Sequence, residues 1–138
     1  MDNKFHNQDL SEISFLVTGG AGFIGGHIAE YLLKNGAGKV RVLDNFSNGF
    51  QSNLDVLRGY TGFEFMEGDI RDLETCRTTC EGINYVSHQA ALGSVPRSIK
   101  DPSSTNDVNV GGFVNILKAA VENNVRQFVY ASSSSVYG

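Results

Sequence analysis

Cysteine, long apolar runs and clustered charge are all scarce in this sequence, and each shortage closes off a class of protein. Two cysteines among 138 residues do not make a disulfide framework, and Cys76 and Cys80 stand one helical turn apart, where disulfide geometry is poor. His88 is the only histidine within fifteen residues of either, so no metal site is expected and the pair reads as ordinary helical thiols of a reducing compartment. The longest apolar runs are a few residues long, and the first dozen residues, MDNKFHNQDLSE, form a polar leader with no basic start and apolar stretch. Neither a membrane span nor export is expected, which points to the cytoplasm. Lys and Arg number 11 against 15 Asp and Glu, a net charge of −4 without any block of like charge. Neither nucleic acid nor a membrane surface is an expected partner, and a small ligand is.

What is present is a repeating pattern. A chain of 138 residues with 41% hydrophobic content is enough for one domain with a real core. Ile13 to Val17 reads as a buried strand that runs into Thr18-Gly19-Gly20. Ile24, Ile28 and Leu32 then recur every four residues, with Phe23 and Leu33 beside them, up to a helix stop at Asn35-Gly36. Strands are expected again at Val40–Leu43, Phe63–Met66, Ile83–Val86 and Phe128–Ala131. Helices are expected around Leu54–Leu57, over Arg71–Cys80, and over a long stretch from Pro102 to Glu122, which Asp101 caps and in which Val110, Phe113, Val114, Leu117, Ala120 and Val121 recur at three- and four-residue steps, with Val110, Phe113, Val114 and Leu117 expected as an uncovered outer face. That alternation predicts an α/β domain with a parallel, doubly wound sheet and right-handed crossovers. No linker, repeat or low-complexity segment interrupts it. The serine run Ser132–Ser135 stands at the expected carboxyl end of a strand, where open α/β sheets place ligands, and so reads as a site.

Gly19, Gly22 and Gly25 fall between the first strand and the first helix with dinucleotide-site spacing. Such a turn needs a tight bend at Gly19, close backbone approach to a pyrophosphate at Gly22, and helix-to-strand packing at Gly25. The helix amino terminus adds unpaired N–H groups and a positive dipole end. A structural glycine turn without a ligand is the alternative, and Asp44 speaks against it. It stands nineteen residues after Gly25, at the expected end of the second strand, where a carboxylate accepts both adenosine ribose hydroxyls and repels the 2′-phosphate of NADP. No arginine follows it among Asn45, Phe46, Ser47, Asn48 and Gly49, so NAD is the expected cofactor. Asp69, ending the third strand, reads either as a cap on the adenine amino group or as a helix cap.

The segments TGGAGFIG, LDN at Asp44, GDI at Asp69, HQAA from His88 and SSSSVYG from Ser132 together resemble the extended short-chain dehydrogenases that modify nucleotide sugars. Within them, HQAALGSVPRSIKDP resembles the UDP-N-acetylglucosamine and N-acetylglucosaminuronic acid 4-epimerases of bacterial surface-polysaccharide synthesis. The resemblance implies a Rossmann-type domain over 13–138, with Phe23 and Ile24 over the pyrophosphate and Asp44, Asn45, Ser47 and Gly49 along the adenosine ribose. It further implies Asp69 and Ile70 at the adenine, and Gln89, Ala90 and Ala91 leading towards the nicotinamide. Gly93 and Ser94 match positions near the sugar. Ser133 matches the residue that hydrogen-bonds the sugar 4-hydroxyl, with Ser134 and Ser135 beside it, and is the catalytic candidate. His88 matches a supporting position and reads as a satisfied core histidine.

The resemblance also separates reactions. Related 4,6-dehydratases carry an acidic pair before VYG to expel water, and decarboxylase relatives keep a glutamate there. Serine hydroxyls at 134 and 135 do not carry out that proton work at neutral pH. The implied function is an NAD-dependent 4-epimerase of a UDP-N-acetylhexosamine, homodimeric when complete. None of the five tyrosines begins a Tyr-x-x-x-Lys pair, and Tyr31 precedes Lys34 by one residue too few. The resemblance places that pair beyond Gly138 together with a sugar-binding lobe, so the expectation is a sheet cut after about the fifth strand and a fragment inactive alone. The rivals are another extended short-chain dehydrogenase, such as a nucleotide-sugar dehydratase or reductase, and a non-catalytic NAD-sensing module.

Overall fold

A computed structural model describes residues 4–137. Residues 1–3 of the polar leader and the Gly138 that closes the serine-run motif lie outside the described residues. Five strands, β1 (Ser14–Thr18), β2 (Lys39–Asp44), β3 (Phe63–Glu67), β4 (Tyr85–His88) and β5 (Gln127–Tyr130), form one sheet in the order β3-β2-β1-β4-β5. Every neighbouring pair is parallel. The chain winds outward from β1 through β2 to β3 and then crosses back to β4, so the order reverses between β1 and β4. Crevices open at the carboxyl ends of strands at such a reversal.

Alternation along the strands divides the core in two. Val17, Val40 and Val42 point to one face, where α1 (Phe23–Lys34) and α2 (Ser52–Asp55) supply Ala29, Leu33 and Leu54. Leu16, Leu43 and Val86 point to the other, where α3 (Leu73–Cys80) and α6 (Phe113–Glu122) supply Cys76, Cys80, Ile116, Ala119 and Ala120. Of the leader, Leu10 is buried in the first core, and its carbonyl accepts the Gly38 N–H at 2.9 Å.

Three elements differ from the sequence reading. On α1 the buried line is Gly25, Ala29 and Leu33, one residue round from Ile24, Ile28 and Leu32, because the glycine turn presses the Gly25 edge of the helix onto β1. β4 begins two residues after the apolar run does: Ile83 is still part of the turn from α3, with its N–H on the Cys80 carbonyl, although its side chain is in the core. The long helix from Pro102 is three segments, α5 (Pro102–Asn106), a π-helical stretch (Asp107–Gly112) and α6. Asp101 caps it as expected, accepting the Ser104 N–H at 3.1 Å.

The sequence reading also puts Phe113 with Val110, Val114 and Leu117 on one outer face. Phe113 instead turns inward and packs edge-on against Phe128 and Tyr130. Val110, Val114, Leu117 and Val121 do form an exposed stripe.

Candidate functional site

The reversal between β1 and β4 is tied by one buried hydroxyl. Thr18 Oγ1 accepts the Gln89 and Ala90 N–H groups at 3.1 and 3.2 Å and lies 2.7 Å from His88 Nδ1. With its acceptor capacity engaged, the hydroxyl donates its proton to Nδ1, which puts the imidazole proton on Nε2 and keeps the ring neutral. Burial pushes the His88 pKa down to about 4, in the same direction. The histidine is therefore a packed part of the crevice floor, stacked beside Phe128.

A pH prediction follows, because the unfolded chain takes up a proton near the ordinary value of 6.5 and the folded chain does not until about 4. The His88 contribution is complete above pH 6.5 and is lost as pH falls towards 4. Its size is on the order of 3 kcal/mol. Urea unfolding of wild type and His88→Asn at pH 7.5 and pH 5 should show the wild type losing more stability on acidification than the variant.

Beside this floor the glycine turn is held at Ala21. That residue is fully buried, its N–H donates to Asp44 Oδ2 at 2.9 Å, and its carbonyl accepts from Phe50 N and Asn53 Nδ2 at 3.1 and 2.7 Å. Asp44 Oδ1 accepts the Phe46 N–H at 2.8 Å, so one carboxylate ties the turn to the loop after β2. Gly19 has φ +71°, and a Cβ there would lie 2.8 Å from the Ala90 nitrogen. A Cβ at Gly25 would run into the Gly19 carbonyl. No side chain caps α1 at Gly22, so its first-turn amides keep the orientation that suits an anion.

One cleft collects most of the expected cofactor residues. Gly19, Gly22, Asp44, Asn45, Ser47 and Gly49 line one part of it, and Asp69, Ile70, Gln89, Ala90 and Ala91 line the rest. Asp69 accepts from Asn45 Nδ2 at 3.0 Å and from the Arg71 guanidinium at 2.6 Å. Hydrogen bonding from Arg71 is the main cause that holds its pKa down to about 2. Asp69 does not cap α3; Asp72 does, accepting the Thr75 N–H at 3.1 Å.

The other expected residues lie off the cleft. Gly25 is buried beneath the turn, and the Phe23 and Ile24 side chains are exposed at the start of α1. Gly93 and Ser94 are exposed ahead of α4 (Val95–Lys100), with Ser94 as its N-cap. Ser133 and Ser134 are exposed after β5, and Ser133 Oγ accepts the Ser135 N–H at 3.1 Å.

Sequence reasoning missed several lining residues, namely Leu43, Asn48, Gly68, Leu92 and Val108. It also missed Asn109, whose side chain accepts the Leu92 N–H at 2.7 Å and donates to the Leu92 carbonyl at 2.9 Å. The π-helical stretch carries both Val108 and Asn109, and no sequence period announces it. Such stretches are frequent at functional sites.

Among the described residues, no three His, Cys, Asp or Glu side chains gather as a metal ion would require, and no helix is long and apolar enough to cross a membrane. Burial raises the pKa of Cys76 to about 12 and of Cys80 to about 11, which leaves both as unreactive thiols at neutral pH.

A side chain at Gly19 would press on the Ala90 backbone at the cleft wall, one at Gly25 would push on the turn from beneath, a carboxylate ends β2, and the first-turn amides of α1 carry no side-chain cap. These residues fit a dinucleotide, and the class the fold defines is a dinucleotide-binding α/β domain. The model of the NAD dependent epimerase/dehydratase family matches residues 15–138, and the chain belongs to that family.

UDP-glucuronate 4-epimerase 2 of Arabidopsis thaliana is 38% identical over 133 residues, 91% of this chain and 30% of that protein. The solved UDP-glucose-4-epimerase of Stenotrophomonas maltophila, with NAD bound, is 35% identical with a TM-score of 0.84, covering 91% of this chain and 38% of that one. A dTDP-glucose 4,6-dehydratase of Streptomyces venezuelae, also with NAD, is 36% identical with a TM-score of 0.86 over 91% and 41%. A UDP-N-acetylglucosamine 4-epimerase of Methanobrevibacter ruminantium is 34% identical with a TM-score of 0.82 over 91% and 39%. The chain thus spans well under half the length of each.

Proposed function

We propose that this chain is the cofactor-binding part of an NAD-dependent 4-epimerase acting on a UDP-sugar, of the N-acetylhexosamine type. The observation that carries the cofactor reading is the single cleft in which the glycine turn, Asp44, Asp69 and Gln89–Ala91 meet. NAD, when bound, supplies a hydride acceptor and donor for carbon 4 of the sugar.

The chain's own residues do the rest. Thr18 fixes the crevice floor, Asp44 orients the adenosine ribose, and Ser133 hydrogen-bonds the sugar 4-hydroxyl. Ser134 and Ser135 occupy positions where the dehydratases carry carboxylates, which favours epimerisation over loss of water. Gly93 and Ser94 stand next to Ala91 and Leu92 of the cleft and approach the sugar. The general base is assigned to a Tyr-x-x-x-Lys pair in sequence beyond Gly138, the setting is the cytoplasm, and the sensing-module reading is the rival of a different class. The N-acetylhexosamine assignment draws on the His88–Pro102 loop and on the likeness to the M. ruminantium enzyme.

The test uses a longer chain that extends past Gly138. Interconversion of the 4-epimers of UDP-N-acetylglucosamine supports the full reading, while turnover of UDP-glucose or UDP-glucuronate alone replaces the sugar. Release of water with a 4-keto-6-deoxy product contradicts epimerisation. NAD binding without turnover of any UDP-sugar favours the sensor. In that protein Ser133→Ala should lower turnover roughly tenfold to a thousandfold with NAD binding nearly unchanged; damage from Ser134→Ala instead would shift the motif by one residue.

The exposed stripe Val110, Val114, Leu117 and Val121 supports a homodimer. Light scattering across a concentration series should show self-association of the chain and its loss in Val114→Glu. A wild-type monomer at every concentration contradicts this interface.

A further inference from the structure

The cleft described above is short of positive charge. Its lining includes Asp44 and Asp69 and no lysine or arginine, and the nearby Arg71 is already paired with Asp69 at 2.6 Å. A pyrophosphate carries two negative charges, and helix amides answer them only with partial charges. Arg97 stands across the mouth. It lies on α4, which follows the Gln89–Leu92 wall, and its Nη1 reaches Asn48 Oδ1 on the opposite wall at 3.2 Å. That is a contact between residues 49 positions apart in sequence. Among the described residues no carboxylate lies within ion-pair distance of Arg97.

The neighbourhood of Asn48 says which part of a ligand the guanidinium faces. Asn48 stands between Ser47 and Gly49 of the ribose-side loop, and a Cβ on Gly49 would lie 2.7 Å from the Ala21 side chain, so the loop also rests on the glycine turn, where the backbone is built to approach phosphates. The placement of Arg97 is also specific. Ser94 holds φ +154°, outside the range L-residues favour, while its Oγ accepts the Arg97 N–H at 3.3 Å. Residues held in such conformations cluster at ligand clamps.

We propose that Arg97 is a cofactor-binding residue: a cationic latch that closes over the cleft and contacts the pyrophosphate of the dinucleotide while bridging to Asn48. The proposal rests on the cofactor reading above and adds to it a charge that arrives from about fifty residues further along the chain. An exposed guanidinium acts through a screened charge, so the effect is graded by salt.

Calorimetric titrations of wild type, Arg97→Gln and Arg97→Lys with NAD, ADP and adenosine, at about 20 mM and about 500 mM salt, decide the matter. At low salt Arg97→Gln should bind NAD and ADP about five- to tenfold more weakly and adenosine as wild type does. Arg97→Lys should recover part of the loss, and the gap should close at high salt. Equal NAD and ADP affinity in wild type and Arg97→Gln overturns the latch while leaving the cofactor site intact. An equal, salt-independent loss for adenosine also overturns it, because Arg97 would then act only by holding the Asn48 loop. Absence of NAD binding by the wild type overturns the cofactor reading itself, and this inference with it.

Discussion

Gly25→Ala is expected to weaken NAD binding by roughly a hundredfold, equivalent to about 2.7 kcal/mol, and to destabilise the fold as well. Two effects oppose each other at this position. Alanine in a helix is favoured over glycine by about 1 kcal/mol, and Gly25 is inside α1. The added methyl, however, meets the Gly19 carbonyl and lies within 2.9 Å of the Gly20 Cα, both of them backbone that cannot rotate away. Overpacking of this kind costs about 1–3 kcal/mol, so the turn must shift outward, into the space where the pyrophosphate approaches. Gly111→Ala is the control: nothing lies within 4 Å of a Cβ there, and the substitution should leave NAD affinity unchanged and gain about 0.5 kcal/mol through the unfolded chain. Titration of both variants, with urea unfolding alongside, checks the contrast.

Asp44→Ala should have the second largest effect on NAD binding, and its signature is a change in preference as well as in affinity. The wild-type carboxylate holds the Ala21 and Phe46 N–H groups and faces the cleft, where it is positioned to accept ribose hydroxyls. Each charge-assisted bond contributes about 1.5–3 kcal/mol, so the variant should bind NAD about thirtyfold more weakly. NADP, whose 2′-phosphate the carboxylate repels, should bind about as well as before or better. The ratio of the two affinities therefore approaches one in the variant. A wild type with equal affinity for both cofactors would contradict the assigned preference.

Much of this site was legible because its signals are local. The Gly19–Gly25 turn sits between a strand and a helix, and Asp44 ends the next strand; each is a short stretch whose conformational need is written in its own residues. The parts that escaped depend on contacts between distant segments. Thr18 looks like an ordinary strand-end threonine until β4 brings Gln89 and Ala90 to its hydroxyl. Asn109 is one polar residue in a helical pattern until Leu92 lies beside it.

On the long helix the apolar period missed only the inward turn of Phe113. Val110, Val114, Leu117 and Val121 keep helical spacing and face outward, while the buried contacts are made by Ile116 and the small Ala119 and Ala120. A helix apolar on two faces has no single phase for the pattern to report, and a π-helical stretch within it shifts the phase again. α4 gave no periodic signal because six residues with no buried side chain leave no apolar trace.

The placement of NAD in the cleft at the β1–β4 reversal is the claim on which the rest depends, and amide chemical-shift mapping tests it most directly. Titration with NAD should move the amides of Gly19, Gly22, Asn45, Ser47, Ile70, Ala90 and Ala91, which line that cleft, and leave those of Arg58, Arg77 and Lys118 in place. Shifts confined instead to the second surface hollow, lined by Phe23, His27, Asn53 and Val56, or no shifts at all, would contradict it.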